Sequence, residues 1–566
     1  MNLETVDCDL LVVGSGAAGM AAAITAKLHG LDVLLVEKAD VFGGTTALSG
    51  GGLWVPGNPV SERVGLTDSR DAARQYMAIE AGAFARPDMV EAFLDQGPAM
   101  VAFFEDKTAV RFVPAPLFPD YHPGQPGASQ GGRTLYAAPY DGRELGARIR
   151  TLRPPLQEMT LFGLVTVSGD EVRHFLNATR SLRSARYVAG VFLRHLRDTL
   201  RHGRGMRLTN GNALAARLAR SVFDLEIPLW LNAPVCSLTQ DGARASGAIV
   251  RREGRDVRVH ARRGVVLACG GFPQDRVRQQ RLFPHVQRGG LHHSPAPASN
   301  TGDGLAFGEQ AGGRVDTHLA HPAAWAVFSR VPRKGGSMGV YPHFIDRAKP
   351  GMIAIDARGQ RFVNESDSYH DVIAAALRAA APDGRGLYLL CDHRAIRQYG
   401  LGFAKPFPMP LGGLLRKGYL KRGRTLAELA TQIGVDPAAL QATVDRYNAD
   451  AQHGRDPQFG KGGNAYNRFN GDPTWSGPNP CVAPVQDAPF YAVELVVGDL
   501  GTFAGLRTDA HARVLDAREQ PIPGLYAAGN DMASIMGGNY PGGGITLGPA
   551  MTFGYIAGRH AASNPS

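Results

Sequence analysis

Cysteine is scarce. The chain has 566 residues and only 5 cysteines, Cys8, Cys236, Cys269, Cys391 and Cys481. The number is odd, and no CxxC or CxxCH spacing occurs. A disulfide framework, a zinc site built on cysteine and covalent c-type haem attachment are therefore not expected, and a reducing, cytoplasmic compartment is. Long apolar runs are also missing, since none reaches the roughly 18 residues of a spanning helix. The opening MNLETVDCDLLVVGSG is acidic and polar before its first apolar stretch, so it does not read as a secretory signal. His292, His293, His318 and His321 match no zinc spacing and have few acidic neighbours, so no metal is expected. The net charge of +10 comes without a nucleic-acid-binding motif or aromatic platform, so no nucleic-acid partner is expected.

Glycine is what the chain has in quantity. Its 71 glycines cluster at Gly14–Gly19, Gly43–Gly52 and Gly537–Gly544, as expected where backbone approaches a ligand. The length calls for two or three domains. DCDLLVV at 7–13 reads as a buried strand, MAAAITAKLHG as a helix and DVLLVEK as a second strand ending in Glu37. Between the first strand and the helix stands Gly14-Ser15-Gly16-Ala17-Ala18-Gly19, a GxGxxG in its proper context. Gly14 permits the tight turn, Gly16 lets backbone reach a pyrophosphate, and Gly19 permits close helix packing. The helix N-terminus offers N–H groups to phosphate, and Glu37 can accept from ribose hydroxyls. The second glycine-rich loop, Lys38 to Gly52, brings Thr45, Thr46 and Ser49 to the same end of the unit.

Elsewhere, 114–143 is rich in Pro, Gly and Tyr and reads as a long, functional loop. Arginines at 180, 183, 186, 194, 197, 201, 204 and 207 accompany Leu193, Leu196 and Leu200 at helical spacing. Two readings stay open there: a solvated helical face, or a basic patch that touches an anionic membrane surface. VVLACGGF and IPGLYAAGN are further strands running into glycine, and NTGDGLAFGEQAGG reads as a turn and helix. Residues 326–490 carry no dinucleotide signature and read as a substrate or cap domain, with helices at 425–433 and 436–451.

VVGSGAAG, GGTTALSGG, VVLACGGF, TGDG, GLYAAGN and GGGITLGPAMTFGYIAG occur in that order along the chain. Together they resemble the FAD-dependent fumarate reductase and 3-ketosteroid dehydrogenase superfamily. The resemblance implies a Rossmann-like FAD-binding domain (GR2-type) at 1–325 and 491–566, with an inserted α+β cap domain at 326–490. It implies an FAD shell of Gly14, Ser15, Gly16, Ala17, Ala18, Gly19, Glu37, Lys38, Gly44, Thr45, Thr46, Ser49, Gly50, Gly51, Gly52, Val235, Cys269, Gly270, Asp303, Gly529, Asn530, Gly544 and Leu547. The FAD is expected to be non-covalent, because covalent attachment in the family uses a histidine in the early loop and Gly43 to Gly52 has none.

The closing motif narrows the chemistry. Fumarate reductases of the family carry His-Gly-x-Asn-Arg there, and arginine forks suit a dicarboxylate. Here the stretch is Met536-Gly537-Gly538-Asn539-Tyr540-Pro541-Gly542-Gly543-Gly544. It is similar to that of 3-ketosteroid Δ1-dehydrogenases, whose tyrosine and last glycine hold the substrate carbonyl; Tyr540 and the Gly544 N–H take those roles by resemblance. Gly543 stands where the family has proline, and Asn539 where it has a Thr-like residue. RFVNESDSY at 361–369 is similar to the stretch that ends on the catalytic tyrosine, which makes Tyr369 the expected base. Tyr121 of Pro119-Asp120-Tyr121-His122 resembles the family's supporting tyrosine, with Tyr136 and Tyr140 as rivals. The expected reaction is α,β-dehydrogenation of a hydrophobic cyclic ketone, a 3-ketosteroid first, with hydride passing to FAD and then to an external quinone or carrier. A smaller cyclohexanone-like ring, a Δ4 regiochemistry, a fumarate-type enoate reductase and a non-enzymatic flavin-holding electron-transfer protein stay open as alternatives.

Overall fold

The computed structural model describes residues 3–161, 163–165, 174 and 181–563. The chain opens on strand Glu4–Val13, whose second half, Leu10 to Val13, is buried. Helix Ala17–Leu28 follows directly, and strand Val33–Val36 returns in parallel with Leu10 opposite Val33. The helix is buried from Ala17 to Ala26 and built largely of alanine, so it can lie close to its neighbours. One neighbour is the last helix, Leu547–Ser563. A Cβ on Gly554 of that helix would stand 2.4 Å from Ala18 O, and one on Gly558 2.6 Å from Ala22 O.

On its other side the first strand pairs in parallel with Arg255–Leu267, which pairs in parallel with Pro521–Ala527. Residues from both halves of the chain therefore build one eight-stranded sheet, extended by the antiparallel strands Val235–Asp241 and Arg244–Arg252. A second sheet has six strands: Ala323–Pro332, Met338–Pro342, Met352–Ile355, Leu387–Cys391, Leu420–Gly423 and Phe490–Thr502. Helices Leu426–Ile433 and Pro437–Ala451 cover part of it through Leu429, Leu440 and Val444, against Ile353 and Leu390. The architecture is the expected one, a Rossmann-like α/β unit accompanied by an α+β unit.

One local expectation changes. Residues 114–143 are not one loop. Strand Thr134–Ala137 pairs with Gly52–Trp54, and Tyr140–Asp141 pairs with Arg207–Leu208. These strands are too short to show a period among the surrounding glycines and prolines. The arginine-rich stretch is a helix over Leu182–His202, with Arg180 outside the described residues. Its leucines do not face the core: Leu193, Leu196 and Leu200 are 67%, 55% and 79% exposed, whereas Ser184, Val191 and Asp198 are buried. Among the described residues no helix is long and apolar enough to cross a membrane.

Candidate active site

Four parallel strands of the first sheet end at Val13, Val36, Leu267 and Ala527. A cleft lies where the chain leaves these ends, the position at which open α/β sheets bind ligands. Gly14 turns there with φ +106°, and a Cβ on it would strike Ala268 O at 2.2 Å. At Gly16 nothing lies nearer a Cβ than Thr46 Oγ1 at 3.7 Å, so the missing side chain leaves room for a ligand. Gly44, with φ +49°, is similarly open, its nearest atom being the Gly16 Cα at 3.6 Å.

Most of the residues singled out by sequence come together on this cleft: Gly14 to Ala18, Glu37, Lys38, Gly44, Thr45, Thr46, Ser49, Val235, Cys269, Gly270, Asp303, Gly529, Asn530 and Leu547. Glu37 also ties the cleft's own backbone, accepting from Ser15 N at 3.1 Å, Ser15 Oγ at 2.6 Å and Ala39 N at 2.9 Å. Lys38 Nζ donates to Asp303 Oδ2 at 2.8 Å and Thr301 Oγ1 at 2.7 Å, which links two distant segments of the cleft wall. Five expected residues do not line it. Gly19 lies behind the turn, where a Cβ would meet Gly14 O at 1.8 Å. Gly50 is exposed, and Gly51 packs on the Asn210–Gly211 backbone at 2.4 Å from a would-be Cβ. Gly52 and Gly544 lie against each other instead, a Cβ on Gly544 falling 2.4 Å from Gly52 C and O.

Sequence reading missed other parts of the wall. Asn300 donates to Thr45 Oγ1 at 3.1 Å and Gly270 O at 3.3 Å, and it lines the cleft with Leu500, Thr546 and Ala550 among others. The buried Asp531 carboxylate accepts from the Cys269 and Gly271 N–H groups at 2.5 and 2.9 Å and so holds the third strand-end turn. Burial raises its pKa. An Asp directly after AAGN was the one available signal. An open glycine turn, a carboxylate at a strand end and surrounding hydroxyls on one cleft together suit a dinucleotide, and hence FAD.

Beside this cleft stands a buried aromatic cluster. Tyr369 begins helix Tyr369–Ala375, with Ser368 as its cap. The Tyr121 and Tyr369 hydroxyls are hydrogen-bonded at 3.0 Å. The Tyr540 ring stacks on Tyr121 at 5.6 Å and meets Tyr369 edge-on at 5.1 Å. Tyr466 packs on Tyr121 at 4.5 Å, Phe344 on Tyr369 at 5.1 Å and Phe118 on Tyr121 at 6.1 Å. Burial raises the pKa of all three central phenols. At Tyr540 the hydroxyls of Tyr369 and Thr546 oppose that rise, which couples the cluster to a residue of the cleft wall. Among the described residues no acceptor meets the Gly544 N–H, while its carbonyl accepts from Trp54 N at 3.0 Å. Of the rival tyrosines, Tyr136 lies at the cluster's edge near Tyr540, whereas Tyr140 sits under Arg217, 5.1 Å from its ring, in a different strand pair.

The Tyr121 loop is held by a latch. His122 Nδ1 donates to Glu80 at 2.7 Å and Nε2 to Asp371 at 2.8 Å. Ionised carboxylates only accept, so both ring nitrogens must carry protons and the ring is an imidazolium. Its pKa accordingly rises to about 10, as the two carboxylates outweigh burial. Asp371 lies two residues beyond Tyr369, so the latch joins both tyrosine segments to helix Arg70–Ala81. Of the four histidines considered for metal, His292 bonds His285 and Asp499, the His293 N–H donates to Val497 O, His318 packs on Phe84 and His321 on His370.

This fold and cleft define a dinucleotide-binding flavoenzyme with an aromatic, tyrosine-bearing site beside the cofactor position. The model of the FAD binding domain family matches residues 9–547, and the chain belongs to that family. It is an FAD-dependent oxidoreductase. It is 40% identical to 4-oxocyclohex-2-ene-1-carboxylate 5-dehydrogenase from Sinomonas cyclohexanicum, over 99% of this chain and 94% of that protein. It is 37% identical to 3-oxosteroid 1-dehydrogenase from Mycobacterium tuberculosis, over 98% of each. Its structure is similar to that of 3-ketosteroid Δ1-dehydrogenase from Sterolibacterium denitrificans in complex with 1,4-androstadiene-3,17-dione. That match has a TM-score of 0.91 and 36% identity and covers 98% of this chain and 99% of the other.

Proposed function

We propose that the protein removes the α- and β-hydrogens of a cyclic ketone in the aromatic cluster, with FAD as acceptor. The Tyr121–Tyr369 hydrogen bond beside Tyr540 carries this reading. Tyr540 O–H and Gly544 N–H hold the carbonyl oxygen and stabilise the enolate-like charge as it develops. Tyr369 takes the α-proton. It does so as the phenolate, whose charge burial opposes and which Tyr121 stabilises by donating its O–H to the Tyr369 oxygen. FAD, when bound, accepts the β-hydrogen as hydride. The cleft residues from Gly14 to Ala18, with Glu37, Thr45 and Ser49, hold the dinucleotide, and an external quinone or carrier takes the electrons onward.

A 3-ketosteroid dehydrogenated at Δ1 is the first substrate reading, supported by the 0.91 TM-score. A smaller oxocyclohexane ring bearing a carboxylate is the second, favoured by the 40% identity to the Sinomonas enzyme. We also propose the division into a cofactor domain at 1–325 plus 491–566 and a substrate domain at 326–490. It is supported by strand Pro521–Ala527, which joins the first sheet, and by the second sheet, whose outermost strands Ala323–Pro332 and Phe490–Thr502 carry the substrate domain's edges a few residues before 326 and about twelve past 490. The test is an anaerobic panel of 3-ketosteroids, oxocyclohexane derivatives and fumarate. Bleaching of the flavin by ring ketones is expected. Flavin that no ketone bleaches, but that after chemical reduction is reoxidised by fumarate, would overturn the reading.

A further inference from the structure

Several buried and half-buried cations on the second sheet's side have clear partners. Arg361 pairs with Glu365 at 2.7 Å and Asp456 at 2.7 Å. Lys349 donates to Asn470 O and Gly471 O, each at 2.7 Å. Lys461 donates to Arg347 O and Met352 O, and Arg347 donates to His343 O, Glu365 O and Asp367 O. Lys405 is different. Its ammonium stands over the Tyr341 ring at 5.0 Å and the Phe403 ring at 5.6 Å, and among the described residues no carboxylate lies within ion-pair distance. The nearest influential acid is Asp346, whose Oδ2 is engaged by His343 Nδ1 at 2.7 Å and Gly402 N at 3.0 Å. Burial lowers the ammonium's pKa, and Asp346 offsets only part of that.

A partly desolvated cation framed by rings is stabilised by an anion brought to it. Position supports a ligand as that anion. Tyr341 precedes Phe344 by three residues, and Phe344 packs on Tyr369 at 5.1 Å. The wall that touches the reacting end of the site is thus continuous in sequence with the wall that holds Lys405. Ile345 directly follows Phe344 and is half exposed, so the chain beside this wall reaches the surface. We propose that Lys405 anchors a carboxylate carried by the ketone substrate at the end remote from its carbonyl. The inference rests on the ketone reading above and refines it, by giving the substrate a negative charge. The carboxylate could belong to a small oxocyclohexane ring or to the acid side chain of a ketosteroid.

The two sources are separated by acid–ester pairs assayed with the holoenzyme. One pair is 4-oxocyclohexanecarboxylate and its methyl ester, and the other is a 3-ketosteroid with a carboxylic side chain and its methyl ester. The wild type is expected to prefer the acid of one pair, and that pair identifies the source. Lys405→Met is expected to lower kcat/KM for that acid by about 10- to 100-fold, as for loss of a charge-assisted contact, while leaving its ester unchanged. Lys405→Arg is expected to keep most of the preference. Equal losses on acid and ester, an unaffected acid, or a wild type that favours both esters would overturn the assignment. Esters turned over normally in any of these cases would leave the ketone reading standing. If no ketone of either pair reacts, the ketone reading itself fails and Lys405 loses its role with it.

Discussion

The His122 latch makes a prediction with a definite sign. Its imidazolium joins Glu80 and Asp371, and its folded pKa is raised from the ordinary 6.5 to about 10. Asp367 and His370 are the other titratable groups that feel its charge. A group whose pKa is raised on folding stabilises the fold in full below its unfolded value. That contribution declines between pH 6.5 and about 10 and is gone above the folded value. A rise of this size corresponds to on the order of 5 kcal/mol as an upper bound. The ring is about one-third exposed, and solvent screening brings the expected contribution to roughly 2–3 kcal/mol. The perturbation is His122→Gln, which is neutral and cannot donate to both carboxylates in the same geometry. Urea unfolding of wild type and variant across pH 6 to 10.5 isolates the effect, because other titrations largely cancel in the difference. The gap is expected to be widest near pH 6 and to close by about pH 10. Turnover of the variant is expected to fall through a loosened Tyr121 while FAD stays bound. A stability gap that does not change with pH would refute an imidazolium at this position.

Other outcomes are open to direct measurement. Tyr369→Phe is expected to lower turnover by roughly 100- to 10,000-fold, and its lost hydroxyl to cost about 1 kcal/mol of stability, read by steady-state assay and denaturant unfolding. Near-normal activity would pass the role of base to Tyr121. Acid precipitation of the yellow protein is expected to leave FAD in the supernatant, because the Gly43 to Gly52 loop offers no histidine for attachment. Flavin retained in the pellet would contradict this.

The cofactor cleft was legible because its signals are local. Gly14 to Gly19 and Glu37 follow from a strand, a turn and a helix within one short unit. Asn300 and Leu500 were not, since an amide or a leucine carries no mark until folding brings it to Thr45 or to the cleft. Tyr369, Tyr540 and Tyr121 were found through resemblance rather than through spacing. The latch escaped because its partners lie 42 and 249 residues from His122. In helix Leu182–His202 the period located an apolar stripe correctly, but a period does not say which way the stripe faces.

The first sheet is closed by strands taken from far apart along the chain, and this has a consequence for how the protein is made. During synthesis, strand Arg255–Leu267 can pair with Glu4–Val13 and Arg244–Arg252 early, but the partner of its last residues, Pro521–Ala527, emerges some 250 residues later. Until then the end of that strand, Val265 to Leu267, stays unpaired on one side, and the buried face of helix Ala17–Leu28 lacks Leu547–Ser563 to cover it. An open edge and an uncovered alanine-rich face are adhesive surfaces on a growing chain. The GxGxxG turn can form within the first forty residues, yet its binding cleft is complete only when Asn530, Leu547 and Ala550 have left the ribosome. Cofactor capture is therefore a late event in the life of the nascent chain, and FAD supply bears on how much chain completes its fold.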